Sequence, residues 1–345
     1  MDAELDALLR GQRILVTGAG GSIGSELCHQ VADFAPGLLV ALGHGENPIF
    51  ELGNRLAERF PALEIQPVIA DIRDRRRLGD VFARFRPAVV FHAAAHKHVP
   101  LMEANVVEAI TNNVLGTRQV VELAAQHEVP HFALISTDKA VRPSSVMGAT
   151  KRVAEQVVQL AARRHRRHYV AVRFGNVIGT SGSVVPTFAR QIEAGGPVTL
   201  THPEMRRYFM TAPEAVQLVL RAAALGKGGE IFALDMGQPV RILQLAETMI
   251  RQAGKEPGKD IEIRIIGVRP GEKLHEEPYF SAADSVPTGH PGIQRSRPTP
   301  LPHRFASRLR VLQNAAQAGA PDEELRRLLG ALVPDYAPEG PPATT

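Results

Sequence analysis

A threonine, an aspartate and a lysine stand side by side at Thr137, Asp138 and Lys139, and a second lysine, Lys151, closes the stretch STDKAVRPSSVMGATK (136–151). An adjacent carboxyl and amine can give one proton and take another in a single step, once their surroundings move them from their resting charges. In water lysine titrates near a pKa of about 10.4 and aspartate near about 3.9. Burial disfavours both charges, so the expectation is a neutral Lys139 and a protonated Asp138. The Thr137 hydroxyl beside them can pass a proton on. Met147 lies one helical turn before Lys151 and shares its face; a thioether is neither acid nor base and can only pack there. On an exposed surface the same Asp138–Lys139 pair would be an ion pair of little worth.

These residues need a scaffold, and the apolar pattern supplies one. Short apolar runs at 13–17, 38–42, 65–70, 89–93, 131–136 and 169–174 alternate with segments of helical spacing, the rhythm of a parallel sheet covered by helices on both faces. The predicted fold is a Rossmann-type, doubly wound α/β domain. The run before Ser136 puts the Thr137 trio at a strand's carboxyl end, where open α/β sheets bind ligands. Residues 1–178 read as the dinucleotide-binding domain, with a segment near 212–235 returning to it. Residues 179–285 read as a smaller substrate-binding region, with helices near 184–194, 212–225 and 241–253 and apolar runs at 231–235 and 261–266. Residues 286–345 form a tail that wraps the body, helical from about 304 to 332 and without structure at APEGPPATT.

The first strand runs into RILVTGAGGSIGSEL, in which Gly18 permits a tight turn, Gly21 lets the backbone approach a pyrophosphate and Gly24 lets the helix pack closely on the strand. Such a loop alone is weak evidence; the strand before it and the helix after it make a dinucleotide site the favoured reading. The acid that grips a ribose is missing from the end of the second strand, which reads Gly43-His44-Gly45 before Glu46, and no arginine stands there for a 2′-phosphate. NAD is the expected cofactor, with NADP open. Asp71 is placed either for an adenine edge or as an N-cap of the following helix.

With 345 residues, 44% hydrophobic and 22% charged, the chain is a soluble globular protein of one or two domains. Its net charge of +4 is dispersed except at 163–168, read as the solvated end of a helix, not a nucleic-acid patch, since no aromatics are interleaved. The single cysteine, Cys28, excludes a disulfide framework. Neither a signal peptide nor a run of about 20 apolar residues is present, so the expected location is cytoplasmic. His92, His96 and His98 straddle a strand end without an evident carboxylate or thiolate partner, and packing or substrate-loop roles are favoured over a metal site.

The stretches TGAGGSIGSEL, FHAAAHKHVPLME, NNVLGT, STDKAVRPSSVMGATKR, VRFGNVIGTSGSVVP, MRRYFMT, GGEIFALDMG and VRPGEKLHEE follow one another between about Gly11 and Tyr336. In this order they resemble the extended short-chain dehydrogenase/reductases, and within them the UDP-N-acetylglucosamine 4,6-dehydratases of polysaccharide and glycan biosynthesis. The resemblance implies that Lys151 serves the cofactor ribose, that Met147 stands where the superfamily has tyrosine, as in many membrane-anchored members, and that Asp138 and Lys139 are the acid and base of dehydration, with Thr137 beside them. Expected cofactor positions are Gly18, Gly21, Ser22, Ile23, Gly24, Glu46, Asp71, Ile72, Ala93, Ala94, Asn113 and Lys151. Expected nucleotide-sugar positions are Lys97, Asn176, Val184, Arg207, Arg269 and Glu272. Arg269 and Glu272 can equally be a surface ion pair, although a loop arginine suits a diphosphate. The chemistry implied is oxidation at sugar carbon 4, loss of water across carbons 5 and 6, and return of the hydride to carbon 6. A nucleotide-sugar 4-epimerase or reductase is the second reading, and a non-catalytic dinucleotide-binding protein the third. Some relatives carry an amino-terminal membrane domain, so the chain is either a free-standing form or an excised catalytic segment located at the membrane. A homo-oligomer is expected.

Overall fold

The computed structural model describes residues 3–277, 284–297 and 299–338. Six parallel strands, β1 (Arg13–Thr17), β2 (Leu38–Gly43), β3 (Ile65–Ile69), β4 (Val89–His92), β5 (His131–Thr137) and β6 (His168–Phe174), fall on the six apolar runs. They lie in the order β3-β2-β1-β4-β5-β6, and strand Ile231–Leu234 continues the sheet in parallel beyond β6. Strand Ile293–Ser296 and then Ser285–Pro287 extend that edge in antiparallel fashion, making nine strands; part of the turn-rich stretch read as tail is thus a hairpin of the main sheet. Run 261–266 does not return to this sheet: Ile263–Ile265 pairs with Val198–Leu200 in a separate two-stranded ladder.

Neighbouring side chains of each strand point to opposite faces, and both faces are dry. Leu15, Val40 and Leu42 join one core, covered by helices that include Val146–His165, Phe305–Gln317 and Asp322–Leu332. Ile14, Val16, Leu39 and Ala41 join the other, covered by helices Ser22–Ala32 and Ala212–Leu225. A third, smaller core gathers Phe188, Ile192, Leu200, Met205, Ala246 and Ile250 above the carboxyl ends of the strands. The long helical pattern near 304–332 divides into two helices, broken around Gly319–Pro321. Of the closing stretch APEGPPATT, residues 339–345 lie outside the described residues. Among the described residues no helix is long and apolar enough to cross a membrane.

The chain reverses its direction of strand addition between β1 and β4, and this switch point opens a crevice at the carboxyl ends. Helix Val146–His165 is aimed at that crevice from its amino-terminal end. Ser145 caps it by accepting from Gly148 N at 3.1 Å, and Glu103 accepts from Val146 N at 2.6 Å. Farther along, buried Glu155 is gripped by Arg173 through bonds of 2.6 Å each, by Arg152 at 3.0 Å and by the Ser136 hydroxyl at 2.7 Å. This network ties the helix to the ends of β5 and β6, and its arginines hold Glu155 below the ordinary carboxylate range although burial pushes the other way.

Candidate active site

The glycine turn after β1 has little freedom to be anything else. Gly18 takes φ +69°, and a Cβ there would lie 2.6 Å from Ala94 N; a Cβ on Gly24 would lie 2.1 Å from Gly18 O. Gly21 caps helix Ser22–Ala32 without a side-chain acceptor, so the first N–H groups of the helix, at Ser22 and Ile23, are available to an anion. The missing ribose acid also has a spatial reason. A Cβ on Gly43 would come 2.9 Å from Ile49 Cδ1, so helix Glu46–Arg59 occupies the room a carboxylate would need, and Glu46 is exposed at that helix's first position.

Asp71 corrects one expectation: it is not the cap of the next helix. That cap is Asp74, which accepts from Arg77 N at 2.9 Å, while Asp71 pairs with Arg73 and is held below its usual pKa by that hydrogen bond. Arg73, an arginine from β3's end and not β2's, is shared between Asp71 and Glu108. Ile72 is buried against Gly116. Asn113 is buried too: its Oδ1 accepts from His96 N at 2.8 Å, and its Nδ2 donates to His96 O at 3.0 Å and to Thr150 Oγ1 at 3.2 Å. It fixes the loop after β4 to helix Val146–His165 from behind, without reaching the cavity. His92 bridges Thr17 and Thr117, and its burial pushes its pKa down to about 3, so the imidazole is neutral.

A cavity of about 460 Å³ lies over the strand ends and brings together Ile23, Ala93, Lys97, Thr137, Lys139, Met147, Lys151, Asn176, Val184, Arg207, Arg269 and Glu272. Gly18, Gly21, Ser22, Gly24, Glu46, Asp71, Ile72, Ala94 and Asn113 do not line it. Asp138 does not line it either: its side chain is fully buried directly behind Thr137 and Lys139, to both of which it is bonded. The approach of the two reacting segments depends on Gly148, where a Cβ would sit 2.3 Å from Lys139 O. Met147 is 3% exposed and Lys151 5%, so both are packed against the cavity floor. Lys151 Nζ donates to Ile135 O at 2.7 Å, and burial pushes its pKa down to about 8, against the pull of Glu155.

Within the trio, Thr137 Oγ1 donates to Asp138 Oδ1 at 2.8 Å, and Lys139 Nζ reaches the same oxygen at 3.0 Å and Asn176 Oδ1 at 3.1 Å. The expected neutral lysine is not what this arrangement holds. Burial does work against the ammonium, but the carboxylates of Asp138 and Glu276 outweigh it, and the Lys139 pKa is raised. Glu276 was not singled out by the sequence; it lies in the same stretch as Arg269 and Glu272, four residues past the latter, and only its burial distinguishes it. Arg207 is also differently engaged than expected, since its guanidinium donates to the carbonyls of Arg206, Lys273 and Leu274 and so clamps the 269–276 segment over the site. Arg269 pairs with Glu272 at 2.5 Å on the cavity wall. Lys97 donates to Thr180 Oγ1 at 3.3 Å, and burial lowers its pKa. Helix Val184–Glu193 begins at the cavity, with the Ser183 hydroxyl buried and unbonded before it.

Comparison with known proteins adds to this geometry. A family model described as "Polysaccharide biosynthesis protein" matches residues 14–298. The capsular polysaccharide biosynthesis protein CapD of Staphylococcus aureus is 58% identical over 271 residues, which cover 78% of this chain and 45% of that protein; the chain spans about half the length of this relative. An inverting UDP-N-acetylglucosamine 4,6-dehydratase of Campylobacter jejuni is 32% identical over 271 residues, 77% of this chain and 76% of its own length. Among solved structures, DesIV, a dTDP-glucose 4,6-dehydratase of Streptomyces venezuelae with NAD and TYD bound, superposes with a TM-score of 0.66 at 21% identity over 76% of this chain and 86% of that one. At that identity the likeness is one of fold.

Proposed function

The chain belongs to the polysaccharide biosynthesis family of extended short-chain dehydrogenase/reductases, and from that premise we propose that it is an NAD-dependent UDP-N-acetylglucosamine 4,6-dehydratase. The observation that carries this reading is the hydrogen-bonded chain Thr137–Asp138–Lys139 at the end of β5, whose Thr137 and Lys139 line a cavity that Lys151 also lines. Epimerisation needs hydride transfer and a base for the 4-hydroxyl proton; a further acid beside a base is what removal of water across carbons 5 and 6 requires.

The residues present fit a dinucleotide: Gly18 and Gly24 admit no side chain, the start of helix Ser22–Ala32 offers N–H groups to the pyrophosphate, and Lys151 would serve the ribose. Bound NAD would supply a hydride acceptor for carbon 4 and return that hydride at carbon 6. The chain's own residues manage the protons. Thr137 accepts the proton of the 4-hydroxyl and hands its own on to water, while Asp138 draws its acid proton from Lys139 across the hydrogen bond between them. Lys139, as the amine, takes the proton of carbon 5 while Asp138 gives its proton to the departing 6-hydroxyl; the C5–H and C6–O bonds break, a carbon–carbon double bond forms and water leaves. Lys139 then has a proton to return to carbon 5, and a proton from water restores its ammonium. Met147 fills the floor where a tyrosine would be the base, and the threonine takes the proton instead. Arg269 and Lys97 are placed for the diphosphate.

Incubation with UDP-N-acetylglucosamine should give a product lighter by one water. Lys139→Ala should abolish exchange of the carbon-5 hydrogen with solvent, and Asp138→Asn should slow loss of water. Unchanged mass with altered stereochemistry would favour an epimerase, and no reaction a binding protein.

A further inference from the structure

Glu276 is buried among the reacting groups and has no part in the chemistry so far. Its Oε1 lies 3.8 Å from Lys139 Nζ and 3.8 Å from an Arg207 nitrogen, and its Oε2 is buried with no hydrogen-bond partner. The charged groups that face it are Lys139 and Asp138 from the turn after β5, Arg207 from the strand Arg206–Arg207, and Lys273 from its own segment. Its pKa is raised, by burial first and by the carboxylate of Asp138, while Lys139, Arg207 and Lys273 pull the other way. A carboxyl group placed so far from water is costly unless a neighbouring charge uses it. Arg207 already donates to three backbone carbonyls, whereas Lys139 must change its charge in every turnover.

We propose that Glu276 is a positioning residue for elimination: it retains the one proton that Asp138 and Lys139 share, and it stabilises positive charge as that charge returns to Lys139. The proposal rests on the dehydratase reading above. At rest the shared proton is on Lys139. Its passage from Nζ to Asp138 Oδ1, across the 3.0 Å hydrogen bond, breaks an N–H bond and forms an O–H bond with no change in net charge. The pair is then the amine and acid that elimination consumes. When carbon 5 gives up its proton, Lys139 becomes an ammonium again 3.8 Å from Glu276 Oε1, and a fixed anion at that distance lowers the energy of the forming charge. Glu276 lies behind Lys139 and Arg207, both of which line the cavity, so it acts on the pair and not on the bound sugar.

The test compares wild type with Glu276→Gln by two measurements: steady-state kinetics against pH with UDP-N-acetylglucosamine, and the pH dependence of Lys139 acylation by trace acetic anhydride, read by peptide mass spectrometry. With the anion gone, the pair holds its proton less tightly. The alkaline limb of kcat and the midpoint of Lys139 acylation should therefore both move to lower pH by about one unit or more. At the optimum kcat should fall roughly 10- to 100-fold, with KM changed by less than about twofold. Glu276→Asp, which keeps the charge one carbon farther away, should shift both profiles less and recover part of kcat; it carries the test if the glutamine variant does not fold. Profiles that stay where they were, or a loss confined to KM, overturn the proposal. Wild-type protein that turns over no substrate would defeat the dehydratase reading alone, and the acylation midpoint would still decide the role of Glu276.

Discussion

At the residue scale, the question is how a site with methionine in the tyrosine position moves the first proton. Met147 contributes packing at the cavity floor, and Thr137 is the nearest hydroxyl bonded to the acid. Held by its hydrogen bond to Asp138, it is the first acceptor open to the 4-hydroxyl proton, and proton transfer of this kind is worth about 10²–10⁴-fold. Thr137→Val is expected to lose activity on that scale. Met147→Leu keeps volume and apolarity and is expected to retain most activity. Initial rates of the two variants, measured with saturating cofactor, check both. If the valine variant turns over normally while Met147→Tyr gains about a hundredfold, the proton takes another path and methionine is a defect.

At the element scale, β4 ends on a buried polar side chain that must remain neutral. His92 sits between the hydroxyls of Thr17 and Thr117 at 2.6 and 2.9 Å, joining β4 to β1 and to helix Thr117–Gln126. Its pKa is about 3 in the fold, owing to burial and then to Lys151, against about 6.5 when unfolded. In the window between these values the unfolded chain binds a proton that the folded one does not, so the stabilising contribution is complete above about pH 6.5 and is lost as pH falls toward 3. Between pH 6.5 and 5 the loss from this residue should be about 2 kcal/mol. Urea unfolding at the two pH values measures it. In His92→Asn, which lacks a titrating ring, the difference should largely disappear, although the variant is less stable at neutral pH; an equally steep dependence would show that other groups govern it.

At the scale of the whole molecule, two cores hold the sheet rigid while a third, smaller one carries the cover of the cavity. A closed cover suits a reaction whose hydride must leave and return within one turnover, because intermediates exposed to water would be lost. Substrate with deuterium on carbon 4 is therefore expected to give product with deuterium on carbon 6. Mass spectrometry locates the label, and its appearance in solvent would contradict an internal transfer. The cover is fastened from several directions: Arg207 binds the backbone of residues 273–274, Ser144 donates to Gly271 O, and Lys273 donates to Val141 O.

By itself the sequence determined what local pattern and chain order can determine. Apolar runs bounded by turn residues specify six parallel strands, because a strand buried on both faces must be apolar throughout. The strand before Thr137 puts the trio at the ligand-binding end, and the glycine spacing after β1 marks the turn that a side chain would block. What only the tertiary structure decided are quantities set by distance through space. The charge of Lys139 depends on its burial, on its neighbour Asp138 and on Glu276, which is far along the chain and brought to 3.8 Å by the fold. The room for a side chain at Gly43 depends on Ile49, which lies over it, and the cap at Asp74 depends on where the helix begins. Arg207, a nucleotide-sugar position by resemblance, lines the cavity, and only the fold shows that its guanidinium also binds the carbonyls of the covering segment. Pattern gives the order of elements; Coulomb and contact energies fall off with separation in space, which sequence separation does not report.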